Sequence, residues 1–205
     1  MAWGTSRIAS AMEGQTSRLR LQARNEGGEA RGWWARHAAP LTAAVRGLFG
    51  LIWMIDGAMK FLFLTPADVP GMVKQVAQGQ PAWLTPWFSF WNGVVSANPA
   101  LFLWGTGALE ITIGVCLVVG LLRKTVYLGS IGLALMIWSV VEGFGGPYGP
   151  GSTDIGPAVM YAVLGFALVV VEAATGPSPL SLDAWLERRV RSWHRLAEFV
   201  HPTAA

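Results

Sequence analysis

Residues 41–64 read LTAAVRGLFGLIWMIDGAMKFLFL, and this stretch decides the fold class. At about 1.5 Å per helical residue it is long enough to cross roughly 30 Å of hydrocarbon. Three charged side chains interrupt it, Arg46, Asp56 and Lys60. A charge in hydrocarbon costs about 2.5–3.5 kcal/mol on insertion scales, so charges within a span indicate a polar interior, a ligand pocket or a partner surface.

Three further apolar runs follow, over residues 100–122, 125–144 and 157–174. Pro157 suits a first helical turn, because its missing N–H has no partner to lose there. The whole chain is 53% hydrophobic and only 13% charged, with eleven tryptophans, a balance typical of polytopic membrane proteins. We therefore predict an all-α polytopic membrane protein with a bundle of four transmembrane helices.

The basic residues predict the orientation of these spans. Four spans put both termini on one side, and the positive-inside rule makes that side cytoplasmic, since the two outer loops carry only Lys74. We expect a basic cytoplasmic arm over 1–40, the four-helix membrane domain over 41–175 and a cytoplasmic amphipathic tail over 176–205. The basic side chains on the predicted cytoplasmic side, besides those of the arm, are Arg46, Arg123, Lys124, Arg188, Arg189, Arg191 and Arg195.

Two segments outside the spans are aromatic and amphipathic. In the first outer loop Trp83, Trp87 and Trp91 recur every fourth residue, which on a helix makes one stripe, although Pro86 delays or bends that helix. This pattern favours either an interfacial helix or a lid over a cavity for an aromatic or quinone ligand. Residues 179–200 place apolar side chains on one helical face and arginines on the other, as expected of a helix on anionic lipid or of a partner-docking helix.

The charges of the spans fall at defined depths. Counted from the predicted membrane entries, Asp56 and Glu110 both lie near the midplane, and Lys60 follows Asp56 in the order that favours an i,i+4 pair. Counting the remaining charges in the same way predicts two charge layers. The outer layer consists of Lys60, Glu142 and Asp154, and the inner layer is a pair of Arg46 and Glu172.

Glu110 has two interpretations. Gly107 and Gly114 flank it on its own helical face, so it could be a clamp where two helices approach closely. Alternatively, Glu110 is a catalytic acid that exchanges a proton with Asp56 and Lys60.

The string EGFGGPYGPGSTDIGPAVMY, residues 142–161, is the second candidate site. Glycine- and proline-rich turns leave backbone N–H groups free to hold an anion or a carbonyl oxygen. Asp154 has a competing interpretation as a cap of the following helix. The predicted substrate-binding set is Glu142, Gly145, Gly146, Tyr148, Thr153 and Asp154.

Several classes of function lack support in the sequence. The single cysteine, Cys116, cannot form an intrachain disulfide or a thiolate cluster, and the three histidines lie outside the apolar runs. We therefore expect no metal site, no haem, no iron–sulfur cluster and no covalently bound cofactor. Nucleotide-binding, zinc-hydrolase and serine-hydrolase motifs are absent from the sequence. The basic ends indicate membrane orientation rather than a nucleic-acid partner.

Three stretches resemble the DoxX/DoxD family of small four-helix membrane proteins. They are the first span with Arg46, Gly50, Gly57 and Lys60, the string LEITIGVCLVVGLLRK at 109–124, and TDIG at 153–156 leading into the last span. The resemblance covers about residues 41–175. It implies a subunit of a quinone-linked redox system similar to thiosulfate:quinone oxidoreductase, in the cytoplasmic membrane of a bacterium or archaeon.

If that activity carries over, Lys60 and the glycine-rich loop attract an anionic sulfur substrate, and Glu110 helps to protonate the quinone. The main alternative is a non-catalytic accessory subunit that docks on a larger membrane complex, and a transporter is a third hypothesis. Because four helices enclose little volume, we expect the chain to be a homo-oligomer or to bind other membrane subunits.

Overall fold

The computed structural model describes residues 32–33, 36–146, 155–176, 178–190 and 192–199, and these residues form helices and connecting turns with no strand among them. The α-helices are α1 (Arg36–Phe63), α2 (Val69–Ala77), α3 (Thr85–Ala97), α4 (Pro99–Val119), α5 (Arg123–Val140), α6 (Pro157–Thr175), α7 (Leu182–Leu186) and α8 (His194–Ala197). The predicted all-α class is confirmed for this part of the chain.

Three of these helices, α1, α4 and α6, are long and apolar enough to cross a membrane. The fourth long helix, α5, is not among them and begins with the charged pair Arg123 and Lys124. Large apolar side chains stay exposed along α1, α4 and α6, including Leu62, Leu101 and Phe166. In water such faces would be costly, so they indicate contact with a lipid bilayer.

The chain divides into two compact units, Met1–Leu41 and Thr42–Ala205. In the first unit the structure describes residues 32–33 and 36–41, where the rings of Trp33 and His37 stack with centroids 4.6 Å apart. Most of the predicted basic arm lies outside the described residues. The second unit holds the candidate site and the two hydrophobic clusters that support it.

Glycines bring α1 and α4 into backbone contact. A Cβ atom on Gly50 would lie 2.6 Å from the carbonyl oxygen of Gly114, and one on Gly57 would lie 2.7 Å from that of Gly107. Real Cβ atoms do not approach so closely, so only glycine allows this crossing. The two contacts lie on either side of Glu110 in the sequence and position that part of α4 against α1.

The segment between α1 and α4 folds into two helices and a short connection. A 3-10 turn, Ala82–Leu84, precedes α3, which begins at Thr85 with Pro86 in its first turn. Trp83 therefore lies outside the helix that carries Trp87 and Trp91, and the predicted three-residue stripe is broken at Pro86. Val69 and Val73 of α2 pack in a buried cluster with Val95, Leu103 and Val140, which fixes the segment against α4 and α5.

The C-terminal segment differs from the single amphipathic helix that its periodicity predicts. It forms two short helices, α7 and α8, separated by turns. Asp183 in α7 and Glu198 just after α8 are buried, at 0% and 7% exposure. One straight helix with its polar face in solvent would leave both acids exposed. Because Asp183 and Glu198 are instead buried against Arg123, we conclude that these tertiary contacts interrupt the helix.

Candidate functional site

An ion pair between α1 and α4 is the centre of the site. The Nζ atom of Lys60 donates to Oε1 of Glu110 at 2.7 Å and to Oε2 at 2.6 Å. Glu110 is 1% exposed and Lys60 22% exposed. Lys60 therefore reaches across to the neighbouring helix rather than back to Asp56, which corrects the i,i+4 pairing predicted from the sequence.

Asp56 has a different neighbour. Asp56 lines the same space as Tyr161, which belongs to α6. The Tyr161 ring also contacts the indole of Trp53, with centroids 5.2 Å apart. The predicted catalytic residues Glu110, Lys60 and Asp56 thus lie around one space, together with two aromatic residues that sequence reasoning did not select.

That space is a cavity of about 300 Å3. Its charged and polar wall consists of Trp53, Asp56, Lys60, Thr106, Glu110, Glu142 and Tyr161. Its apolar wall consists of Leu64, Val69, Met72, Phe102, Leu103, Ile137, Val141, Pro157 and Ala158. Helices α1, α2, α4, α5 and α6 all contribute. A mostly apolar cavity with a few convergent polar groups is the usual form of a small-molecule site.

Trp53, one of the residues that line this cavity, carries a buried hydrogen-bond donor without a partner among the described residues. The residue is 1% exposed, and its Nε1 atom has no hydrogen-bond partner among the described residues. Burying an N–H group without a partner costs about 1–3 kcal/mol. A ligand with an oxygen acceptor would remove that cost.

Glu142 closes the cavity and caps α6. Its two carboxylate oxygens accept from the backbone N–H of Ala158 at 3.2 and 3.1 Å. A carboxylate near the positive end of a helix is stabilised by the helix dipole and by the free N–H groups there. Among the described residues Glu142 therefore performs a capping role that the sequence suggested for Asp154.

Only part of the predicted substrate-binding loop is described. Tyr148, Thr153 and Asp154 lie outside the described residues, whereas Gly145 and Gly146 are described and do not line the cavity. A Cβ atom on Gly145 would lie 2.1 Å from the carbonyl oxygen of Ile155, and its φ is +75°. Glycine is therefore required at position 145 because its backbone lies against that of Ile155, two residues before α6 begins.

A second buried charge cluster surrounds Arg123 at the start of α5. Arg123 is 1% exposed. Its guanidinium group contacts Glu172 at 2.8 Å, Asp183 at 3.1 Å and Glu198. Asp183 also accepts from the backbone N–H of Leu122 at 2.8 Å and of Arg123 at 3.0 Å, so the C-terminal segment caps α5.

The predicted pair of Arg46 and Glu172 is replaced by this cluster. Arg46 donates from Nε to the carbonyl oxygen of Leu117 at 2.9 Å and from Nη2 to that of Leu180 at 2.7 Å. Glu172 takes Arg123 as its ion-pair partner instead. Arg46 and Glu172 are both buried in the second unit, each with a different partner from the one predicted.

Five residues of the two sites escaped the sequence reasoning: Trp53, Tyr161, Arg123, Asp183 and Glu198. In the sequence, Arg123 indicated orientation and formed part of the string at 109–124 that carries the family resemblance, and no role was predicted for Asp183 or Glu198. The available signal was that Trp53 lies three residues before Asp56, one helical turn away on the same side of α1.

Within the described ranges no group of three or more histidine, cysteine, aspartate or glutamate side chains could hold a metal ion. Cys116 is a free thiol. Comparisons of the chain with protein-family models, with characterised proteins and with solved structures found no match.

Proposed function

We propose that this chain is an integral membrane subunit of a quinone-linked redox system, similar to the DoxX/DoxD proteins, and that its cavity takes the quinone head group. In this proposal α5 is the fourth span, both termini are cytoplasmic, and α2 and α3 lie at the outer interface. The proposal rests on the resemblance of residues 41–175 and on the cavity beside the Lys60–Glu110 pair.

The chemistry of the cavity wall supports a neutral oxygen-bearing ligand. The wall holds three carboxyl groups, those of Asp56, Glu110 and Glu142, against the single ammonium group of Lys60. Such a wall repels an anion, so in this proposal a sulfur oxyanion is oxidised on another subunit of the system, and that subunit passes the electrons to the quinone. A ring with carbonyl oxygens fits the apolar wall and accepts hydrogen bonds from Trp53 Nε1 and from Lys60.

The Lys60–Glu110 pair then handles protons. A quinone accepts two electrons and two protons when it is reduced. Glu110 is held by two hydrogen bonds from one ammonium group, and Asp56 and Tyr161 line the same cavity. These groups are placed to deliver protons to an oxygen in the cavity, since a proton donor must lie within hydrogen-bond reach of the atom it serves.

Replacing Trp53 with phenylalanine tests whether a quinone binds in the cavity. We expect the dissociation constant for decylubiquinone to rise about three- to tenfold, because one net hydrogen bond of about 0.5–1.5 kcal/mol is lost while the aromatic volume is largely kept. The measurement is equilibrium binding to the purified protein in detergent. Trp104→Phe is the matched control, since Trp104 does not line the cavity. Equal affinities for both variants would exclude Trp53 as a ligand donor.

Glu110→Gln tests the proton role. We expect thiosulfate-dependent quinone reduction by the complex purified from the native membrane to fall about a hundredfold or more, with the quinone dissociation constant little changed, because an amide cannot take up and release a proton. Asp68→Asn, at an exposed acid outside the cavity, should leave the rate unchanged. A folded Glu110→Gln protein with full activity would show that Glu110 only stabilises the contact between two helices.

A second candidate function is that of a non-catalytic accessory subunit. Trp83 is 76% exposed and Phe90 62% exposed, and both lie outside the three helices long and apolar enough to span a membrane. Exposed aromatic side chains of this kind suit a docking surface. Purification from the native membrane separates the two candidates. Large subunits in fixed proportion would favour docking, whereas a chain that emerges alone with bound quinone would favour the enzyme subunit.

A further inference from the structure

In the C-terminal segment, residues 178–190 and 192–199, two acids are buried in the protein and the described arginines are exposed. Its acids Asp183 and Glu198 are buried and bound to Arg123. Glu187 is half-buried, and burial raises the pKa of its carboxyl group. By contrast Arg188, Arg189 and Arg195 are exposed. The exposed surface of the described segment therefore carries a more positive charge than the sequence of the segment as a whole.

Apolar side chains accompany the exposed arginines. Leu182, Trp185, Val190 and Leu196 are between 40% and 49% exposed. The guanidinium group of Arg189 lies 4.1 Å from the centroid of the Trp185 ring. Tryptophan and arginine together on an exposed surface are typical of segments that lie at the boundary between lipid and water.

The contacts of the segment place it at helix ends. The backbone N–H of Asp183 donates to the carbonyl oxygen of Gly120, the residue after α4. Arg123, the first residue of α5, holds the carboxylates of Asp183 and Glu198. Arg123 also pairs with Glu172 in the last turn of α6. Since α4 and α6 are apolar helices of membrane-spanning length, the segment lies at the level where such helices leave hydrocarbon.

We infer that residues 178–190 and 192–199 form a docking surface for anionic phospholipid head groups, made basic because Arg123 draws the acids of the segment inward. The arginines bind lipid phosphates, while Trp185 and Leu182 insert among the upper acyl chains. Each arginine near an anionic leaflet strengthens binding about fivefold, because it attracts the lipid phosphates. This surface is independent of the cavity and of the proposed function.

The test is amide hydrogen exchange of the full chain in nanodiscs of phosphatidylcholine alone and of phosphatidylcholine with 30% phosphatidylglycerol. Exchange over residues 178–199 should slow on the order of tenfold in the anionic discs, with the amides of α4 unchanged. Equal exchange in the two kinds of disc overturns the inference, because a surface that faces a protein partner or water would not respond to lipid charge.

A charge-removing variant and a matched control sharpen this test. Replacing Arg188, Arg189 and Arg195 together with glutamine should abolish the difference between the two lipid compositions. Lys74→Gln, at an exposed cation on α2, should leave the difference intact. If the triple variant keeps the wild-type difference, the arginines are not the binding groups and the inference fails.

Discussion

Replacing Arg123 with methionine is expected to release the C-terminal segment and to destabilise the protein by about 3–5 kcal/mol. The substitution leaves the carboxylates of Glu172, Asp183 and Glu198 buried without their common cation. Removing one partner of a buried ion pair costs this much because the remaining charge cannot regain its hydration. Lysine at this position should recover only part of the loss, since its single ammonium group cannot contact three carboxylates as a guanidinium fork does.

Limited trypsin digestion measures the release. Cleavage after Arg188, Arg189 and Arg195 should accelerate in the Arg123→Met protein, because proteolysis follows the population of the open segment. Lys124→Met is the matched control at the adjacent cation, which forms none of the ion pairs of the cluster. Equal cleavage rates in the two variants would show that the segment is held by its apolar contacts instead.

Replacing Gly50 with alanine is expected to cost about 1–3 kcal/mol of stability, because the new methyl group overpacks the α1–α4 crossing. The Cβ atom would lie 2.6 Å from the carbonyl oxygen of Gly114 and 2.9 Å from the backbone N of Val118. Both are backbone atoms, so the helices themselves must separate. We expect the same separation to lengthen the contact between Lys60 and Glu110.

Unfolding curves in detergent provide the measurement for this prediction. Gly47→Ala is the control on the same helix, since a Cβ atom there meets nothing within 4 Å. Alanine is the better helix former by about 1 kcal/mol, so Gly47→Ala should be neutral or stabilising. A Gly50→Ala protein as stable as Gly47→Ala would mean that the crossing tolerates a wider spacing.

Sequence patterns located the helices but not their contacts. The predicted spans 41–64, 100–122 and 157–174 match α1, α4 and α6 to within five residues at each end. The predicted helix 125–144 overlaps α5, which ends at Val140. Helix limits follow from the local order of apolar residues, prolines and caps, such as Asn98, whose side chain accepts from Leu101 N–H.

Local pairing rules failed for the buried charges. Lys60 was assigned to Asp56 because the two lie one turn apart, yet Glu110 holds it at 2.6–2.7 Å. The glycine contacts between α1 and α4 allow the pairing seen here, because they bring the two helices close enough for Lys60 to reach Glu110. The single C-terminal helix was also wrong, since contacts of Asp183 and Glu198 with Arg123 are long-range and leave no local pattern.

The amino-acid sequence by itself determined that this chain is helical and contains apolar helices of membrane-spanning length, because hydropathy and helix-forming tendency are sums over neighbouring residues. The tertiary structure decided which charges meet, that Trp53 and Tyr161 share a cavity with Lys60 and Glu110, and that Arg123 gathers three acids. Those contacts depend on the relative rotation and depth of helices that are far apart in sequence. That geometry is set by close packing at a few glycines rather than by any local pattern.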